Sequence, residues 1–166
     1  MDERTCAYRG CLLGMAVGDA MGYPGDKKTW DEICEAYGPN GLLGYDLVNG
    51  SADVTSYTQL AAFTLNGLLV CANKGRTGAQ DYLLYVTRAL EEWAQAQHLP
   101  GAPRSRCCWI CQIPKMRQRR CLDARTLDAL TRGVTGTPEA PANGSAGPGN
   151  LAAAAMVGLD FSPERM

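Results

Sequence analysis

One histidine and four cysteines are the side chains of this sequence best suited to bind a transition-metal ion. Cys108 and Cys111 are separated by two residues, a spacing at which two thiolates can bind one zinc ion. His98 and Cys121 are candidates for the other two ligands, and Cys107 is adjacent. However, His98 and Cys121 each lie ten residues from the pair, whereas structural zinc sites usually contain two close pairs. The pattern leaves open a zinc site, a redox-active dithiol and unreactive buried thiols, and it favours the last.

Other chemical patterns are weaker. The sequence contains neither the Gly-x-Ser-x-Gly turn of serine hydrolases nor the glycine-rich loop that binds nucleotide phosphates. A Ser/His/Asp triad would have to use His98, and nothing else supports one. Residues 94–122 carry no acidic side chain and six basic ones: Arg104, Arg106, Lys115, Arg117, Arg119 and Arg120. This basic segment could face phosphates, and a solvated loop is the commoner explanation.

Helices must position these residues, because apolar side chains recur at intervals of three and four along most of the chain. Helices are predicted at residues 4–21, 29–38, 54–72, 77–99, 123–132 and 151–159. Thr29 with Glu32 and Thr77 with Gln80 have the spacing of a capping box at a helix start. The helix at 54–72 has a wide apolar stripe and is predicted to be deeply buried. The next helix is predicted to direct four side chains toward the core: Leu83, Val86, Leu90 and Trp93.

Glycine recurs at every fourth position of the first helix, at Gly10, Gly14, Gly18 and Gly22. Each glycine inside a helix costs about 1 kcal/mol relative to alanine. A face of glycines therefore predicts that a neighbouring helix or a ligand approaches this backbone closely. Another side of the same helix carries Leu13, Val17, Ala20 and Met21.

The length and composition are those of one globular domain spanning residues 1–166. Of the 166 residues, 46% are hydrophobic and 20% charged, which excludes a generally disordered chain. Residues 133–149 contain eight glycines or prolines and are predicted to be a long loop, and residues 40–52 an irregular segment. The apolar stretch Cys11–Val17 is too short to cross a membrane. With no secretory signal pattern, the expected location is the cytoplasm, with reduced cysteines.

Three motifs occur in a recognisable order. The first helix contains GCLLGMAVGDAMG at residues 10–22, and the buried helix begins with Thr55-Ser56-Tyr57-Thr58-Gln59. The third motif is GPGNL at residues 147–151, followed by VGL at 157–159. In this order and at these separations, the motifs resemble the N-terminal half of the ADP-ribosylglycohydrolase family.

The resemblance implies an all-α fold, an orthogonal multi-helix bundle, that hydrolyses the glycosidic bond between ADP-ribose and an acceptor with two magnesium ions. In the family, a Thr-Asp-Asp-Thr-Gln run and a later Asp-x-Asp-Thr run supply oxygen ligands. Here Ser56 and Tyr57 replace the two aspartates, Thr55 is the remaining metal-ligand position, and the later run has no counterpart. Hydroxyl ligands alone would not offset the free energy that a magnesium ion loses when it gives up its bound water. The expected site is degenerate and holds no cofactor; magnesium is expected only if the family site is retained.

The resemblance also implies positions for catalysis and substrate binding. Asp26 occupies the place of a family glutamate and is the candidate catalytic residue, although an exposed loop aspartate beside two lysines is the alternative. Asp19 is a candidate for substrate binding or for a hydrogen-bonding group at a helix end. Tyr57 could stack on an adenine or belong to the core. The implied substrate-binding residues are Asp19, Ser56, Tyr57, Gly147 and Gly149.

The leading hypothesis is an ADP-ribosylglycohydrolase-like protein, inactive alone, that binds ADP-ribose or a related nucleotide or another protein. The alternatives are an active ADP-ribosyl hydrolase completed by a partner chain and a zinc-stabilised module that binds nucleic acid. If about half of the family domain is missing, apolar helix faces remain uncovered. We therefore predict that a homo-oligomer forms or that a second polypeptide covers these faces. No membrane partner is predicted.

Overall fold

The computed structural model describes residues 3–98, 108–120, 124–137, 139–144 and 149–160. Within these ranges there are six α-helices and one pair of short strands, which confirms the all-α prediction. The helices are α1 (Glu3–Gly22), α2 (Trp30–Tyr37), α3 (Ser56–Asn73), α4 (Ala79–His98), α5 (Ala124–Thr131) and α6 (Gly149–Asp160). Short 3-10 turns cover Tyr23–Gly25, Trp109–Gln112 and Pro114–Arg117.

Helix α3 lies at the centre of the fold, as its wide apolar stripe predicts. One core cluster joins it to α4, to the segment around Cys108 and to α5; its buried members include Leu60, Phe63, Ala89, Trp93, Ile110 and Leu127. The second cluster joins α3 to α6 and α1 through Ala61, Leu68, Ala152 and Met156, with Leu12 and Met15 packed against them. Both faces of α3 are therefore buried, and its first turn is held between neighbouring elements.

Helix α2 begins with the predicted capping box. The Thr29 hydroxyl accepts a hydrogen bond from Glu32 N at 3.3 Å, and the Glu32 carboxylate accepts one from Thr29 N at 2.7 Å. The second predicted box is wrong. Helix α4 begins at Ala79, and Tyr82 N donates to Gly78 O, so Gly78 and not Thr77 occupies the N-cap position.

A β-hairpin interrupts the segment predicted to be irregular. Strands β1 (Leu47–Val48) and β2 (Ser51–Ala52) are antiparallel, with Val48 opposite Ser51. Asn49 and Gly50 connect them with φ angles of 53° and 74°. Two consecutive left-handed residues form the type I′ turn that Asn-Gly favours, so the hairpin has a local sequence signal that composition alone obscures.

No neighbouring helix of the described part of the chain approaches the glycine face of α1, so this half of the prediction is wrong, and the approach of a ligand stays a prediction. A Cβ atom added at Gly10, Gly14, Gly18 or Gly22 would meet nothing within 4 Å. The side of α1 that packs against the core carries Leu12 and Met15, whereas Leu13 and Val17 are exposed at 62% and 51%. The close helix contact instead occurs at Gly67 of α3.

Gly67 allows the backbones of α3 and α4 to touch. A Cβ atom at this position would lie 2.8 Å from both Tyr85 O and Val86 Cα, which are backbone atoms that cannot rotate away. We therefore expect Gly67→Ala to lower the free energy of unfolding by about 2 kcal/mol. Urea denaturation will measure it, with Gly22→Ala as the control because Gly22 is right-handed and has open space around it. A Gly67→Ala protein as stable as the control would contradict this packing.

The remaining elements follow the predictions in most respects. Trp93 is fully buried, and Val86 and Leu90 pack against the core, but Leu83 is half exposed and its predicted inward position is wrong. The predicted loop at 133–149 forms turns and bends at 133–137 and 139–144; residues 138 and 145–148 lie outside the described residues, and Gly149 begins α6. No described helix has the length and hydropathy needed to cross a membrane.

Candidate functional site at the start of α3

The Asp19 carboxylate from α1 caps the first turn of α3. Its Oδ2 accepts hydrogen bonds from Thr55 N at 2.9 Å, Thr58 N at 3.3 Å and Thr58 Oγ1 at 2.6 Å. Its Oδ1 accepts one from Thr55 Oγ1 at 2.7 Å. A carboxylate at a helix N-terminus satisfies backbone N–H groups that have no partner within the helix and is favoured by the helix dipole.

The geometry places Asp19 among helix-end hydrogen-bonding groups. A carboxylate can accept about four hydrogen bonds, and Asp19 accepts four from α3 and its N-cap. The Thr55 hydroxyl is also committed, since it donates to Asp19 and accepts a bond from Tyr57 N at 3.1 Å. The two candidate residues Asp19 and Thr55 are therefore brought together, and they bind each other.

Ser56 and Tyr57 differ in their surroundings. Ser56 is buried, whereas Tyr57 is 40% exposed in the first turn of α3. Tyr57 therefore does not belong to the core, and its ring remains accessible from outside. The exposed ring and the buried hydroxyl lie on consecutive residues at the same helix end.

A second carboxylate, Asp53, lies on the loop that leads into α3. Arg120 donates to both of its oxygens, at 2.9 and 3.0 Å, and Lys115 Nζ lies 3.2 Å from Oδ1. The hydrogen bonds from Arg120 hold the pKa of Asp53 below its usual range, against the opposing effect of burial, and Lys115 lowers this pKa further. Lys115 also donates to Ser51 Oγ at 2.7 Å, so it connects the hairpin to the same cluster.

A buried amide, Gln59, holds the segment that carries these two cations. Its Nε2 donates to Lys115 O at 3.2 Å and to Gln118 O at 2.9 Å. Its Oε1 accepts from Trp93 Nε1 at 3.0 Å and from Gln97 Nε2 at 3.3 Å. All four hydrogen-bonding positions of this side chain are filled.

The sequence profile of the ADP-ribosylglycohydrolase family matches residues 2–166. The chain belongs to the ADP-ribosylglycohydrolase family. The match covers all three motifs: the first lies in α1, the second begins at the N-cap of α3, and residues 149–151 of the third lie in α6. No curated protein and no solved structure is similar enough to the chain to be matched.

In this ADP-ribosylglycohydrolase-family chain, the other predicted site residues belong to different elements from the two carboxylates. Asp26 is exposed on the turn between α1 and α2, where its backbone N donates to Tyr23 O at 3.0 Å, and it takes no part in the hydrogen bonds around Asp19 and Asp53. Gly149 is the first residue of α6, which packs against α3 and α1. Gly147 lies outside the described residues.

Cys108 and Cys111 of this family member pack in the core. Cys108 and Cys111 are buried between α3 and α4, and Cys108 Sγ lies 3.9 Å from Ala89 O. His98 is exposed and pairs with Thr131 Oγ1 at 3.0 Å. Among the described residues, no group of three metal-binding side chains occurs; Cys107 and Cys121 lie outside them.

A cleft of about 560 Å³ opens between the end of α4 and α5 of this ADP-ribosylglycohydrolase-family protein. Its lining residues include Glu91, His98 and Leu130, and none of them belongs to the clusters around Asp19 and Asp53. The Thr131 hydroxyl donates to Leu127 O at 2.7 Å, so His98 Nε2 must carry the proton in its bond to Thr131. The hydrogen-bonded residues at the start of α3 remain the better candidate for function.

Residues missed by sequence reasoning complete the site. Asp53, Lys115 and Arg120 form its ionic part, and Gln59 anchors it, although none of the four was a predicted site residue. Gln59 belongs to the second motif, and Lys115 and Arg120 belong to the basic segment. The basic segment contains no acidic residue, so its cations can pair only with a carboxylate from elsewhere in the chain. This feature of the sequence indicates such an ion pair.

Proposed function

We propose that this ADP-ribosylglycohydrolase-family protein binds ADP-ribose or a related nucleotide at the start of α3 without magnesium and does not hydrolyse a glycosidic bond alone. One observation carries the proposal: both carboxylates near this helix end are already occupied by groups of the protein. Asp19 accepts four hydrogen bonds from α3 and its N-cap, and Asp53 is paired with Arg120 and Lys115.

A magnesium ion does not fit this donor set. Mg²⁺ is held by hard oxygen ligands, commonly carboxylates, and gives up its water reluctantly. Moving Asp19 onto an ion would leave the N–H groups of Thr55 and Thr58 without their acceptor. Moving Asp53 would separate it from Lys115 and Arg120. The positive charges of these two side chains would also repel an approaching metal ion. These residues therefore support no metal-dependent step.

The exposed aromatic ring at this helix end suits a nucleotide. The ring of Tyr57 can stack on a base, and such stacking is sequence-tolerant and favourable for any nucleobase. The adjacent Ser56 is buried and offers a ligand no accessible hydroxyl. The exposed ring therefore supports nucleotide recognition through stacking.

Calorimetric titration with ADP-ribose tests the proposal. We expect the same dissociation constant, within about twofold, in magnesium and in EDTA. Tyr57→Ala should weaken binding about tenfold, whereas Leu43→Ala, at an exposed residue between α2 and the hairpin, should leave it unchanged. Binding that requires magnesium, or magnesium-dependent release of ADP-ribose from a modified protein, would instead support a working hydrolase.

We further propose that a second copy of the chain covers the outer face of α1 and α6. Leu13, Val17 and Leu151 are exposed on these two neighbouring helices. Residues 10–22 contain one charged side chain, Asp19, which is bound to α3, and residues 149–159 contain none. A helix that is apolar on all sides is normally buried on all sides.

A second copy is the occupant that the charge distribution favours. A two-fold interface brings the same patch from both subunits together, so a charged patch would repel itself. An uncharged patch avoids this repulsion. Sedimentation equilibrium should therefore detect a dimer at micromolar concentration.

The variant Leu13→Asp should raise the dimer dissociation constant at least about a hundredfold, because a charge would be buried twice in the interface. Leu43→Asp is the matched control, since Leu43 is more exposed and lies between α2 and the hairpin. A parent protein that sediments as a monomer would refute the dimer, and equal loss of dimer in both variants would place the interface elsewhere.

A further inference from the structure

Two buried glutamines connect the helical core to the basic segment. Gln59 and Gln97 are almost completely inaccessible between α3 and α4. Buried amides are unfavourable unless hydrogen-bonded. Gln59 uses its donors on Lys115 O and Gln118 O, and Gln97 Oε1 accepts from Arg120 N at 3.1 Å. Three backbone groups of residues 115–120 are therefore bound to side chains of the core.

We propose that Gln59 and Gln97 are positioning residues that hold Lys115 and Arg120 at the entrance to α3 as a fixed cationic group for a phosphate-bearing ligand. The nucleotide identity of that ligand rests on the proposed function above. The positioning itself is independent of it, because it concerns contacts within the unliganded chain.

The hydrogen bonds explain why the two cations converge. Beyond the 3-10 turn Pro114–Arg117, residues 118–120 belong to no helix or strand, so little local structure determines where Arg120 points. Gln59 anchors the backbone at residues 115 and 118, and Gln97 anchors it at residue 120. Both long side chains then leave fixed backbone positions and reach Asp53. Groups that are held in place before binding lose less entropy when a ligand arrives.

The charges at this entrance favour an anionic ligand. Lys115 and Arg120 carry two positive charges, and Asp53 neutralises one of them. The Lys115 side chain is 44% exposed, and its Nζ donates to Ser51 Oγ, Asp53 Oδ1 and, at 3.5 Å, Ala52 O, so a ligand oxygen would replace the longest of these bonds. The Arg120 side chain is only 6% exposed. Arg120 therefore adds positive charge at the entrance without contacting a ligand directly. Phosphate oxygens complement the exposed Lys115 ammonium, which can donate hydrogen bonds to them.

Hydrogen exchange in the unliganded protein tests the positioning. In Gln59→Met, which preserves length but removes all four hydrogen bonds, the hydrogen-bonded amides of Met116 and Arg120 should exchange at least about tenfold faster. The guanidinium protons of Arg120 should also lose their slow exchange in NMR spectra. Thr64→Val is the matched control on α3, because the Thr64 hydroxyl is buried and has no hydrogen-bond partner among the described residues, and both signals should stay unchanged. Unchanged exchange in a folded Gln59→Met protein would overturn the proposal.

Gln97→Met provides a second variant if Gln59→Met does not fold. It removes the hydrogen bond to Arg120 N and leaves the two bonds from Gln59 Nε2 to the segment in place, so only the amides nearest residue 120 should exchange faster. Equal protection of those amides in the parent and in this variant would also overturn the positioning.

Titrations of Lys115→Ala with ADP-ribose and with adenosine test the ligand class. We expect binding of ADP-ribose to weaken about tenfold and binding of adenosine, which has no phosphate, to remain unchanged. Equal affinity of the parent and Lys115→Ala for ADP-ribose would overturn the phosphate role. Faster exchange in Gln59→Met, together with no ADP-ribose binding by the parent, would preserve the positioning and refute the nucleotide function.

Discussion

Replacing Asp19 by alanine is expected to lower the free energy of unfolding by about 3 kcal/mol. The substitution removes the acceptor for four hydrogen bonds, two from backbone N–H groups and two from hydroxyls. Hydrogen bonds to a charged group contribute more than neutral ones, and an unpaired donor that is partly buried adds its desolvation cost. Because Asp19 is on α1 and its donors belong to α3 and its cap, its loss also loosens the contact between these helices.

Chemical denaturation of Asp19→Ala and Asp26→Ala measures this effect. Asp26 is the matched control, since it is an exposed aspartate on the following turn and its loss should change stability by less than about 0.5 kcal/mol. Asp19→Asn should fall between the parent and Asp19→Ala, because an amide has one acceptor oxygen and carries no charge. Equal stability of the two alanine variants would mean that the cap contributes nothing to folding.

Trp93→Ala is expected to destabilise the protein by about 4 kcal/mol. Trp93 is fully buried in the cluster between α3 and α4, so the substitution leaves a large cavity. It also removes the indole N–H that donates to Gln59 Oε1 at 3.0 Å, leaving part of a buried amide unpaired. Both effects act on the same helix pair.

Thermal and urea unfolding of Trp93→Ala should be compared with Trp109→Ala. The side chain of Trp109 is 54% exposed, and its removal should change stability by less than about 1 kcal/mol. Trp93→Phe separates the two contributions, because a phenyl ring keeps most of the apolar volume and lacks the N–H group. If Trp93→Ala and Trp109→Ala unfold at the same urea concentration, Trp93 does not stabilise the core as described.

The helices were predictable because their signals are local. The apolar stripe of α3 and the Thr29–Glu32 capping box each lie within a few turns of chain, and the structure confirms both. The hairpin was missed although Asn49-Gly50 is also a local signal, because the surrounding glycines suggested irregular structure. Which glycine meets a neighbour was not predictable, since Gly67 is distinguished from Gly14 only by the helix that packs on it.

The site was predictable in part. The motif containing Thr55 and the aspartate at position 19 was identified, and Asp19 was considered as a hydrogen-bonding group at a helix end. The pairing of Asp53 with Arg120 joins residues far apart in sequence, and its geometry depends on two glutamines in different helices. No periodicity or spacing reveals such a contact, because it arises only when α3 and α4 have packed.

The central position of α3 has a consequence for the order of folding. Its Ala61 and Leu68 are covered by Ala152 and Met156 of α6. Residues 74–148 separate α3 from α6 along the chain. During synthesis on the ribosome, α3 emerges long before α6. The apolar surface of α3 therefore stays exposed until α6 has been synthesised. Nascent chains of this protein should therefore be clients of chaperones, and shortening the chain before α6 should drive it into inclusion bodies.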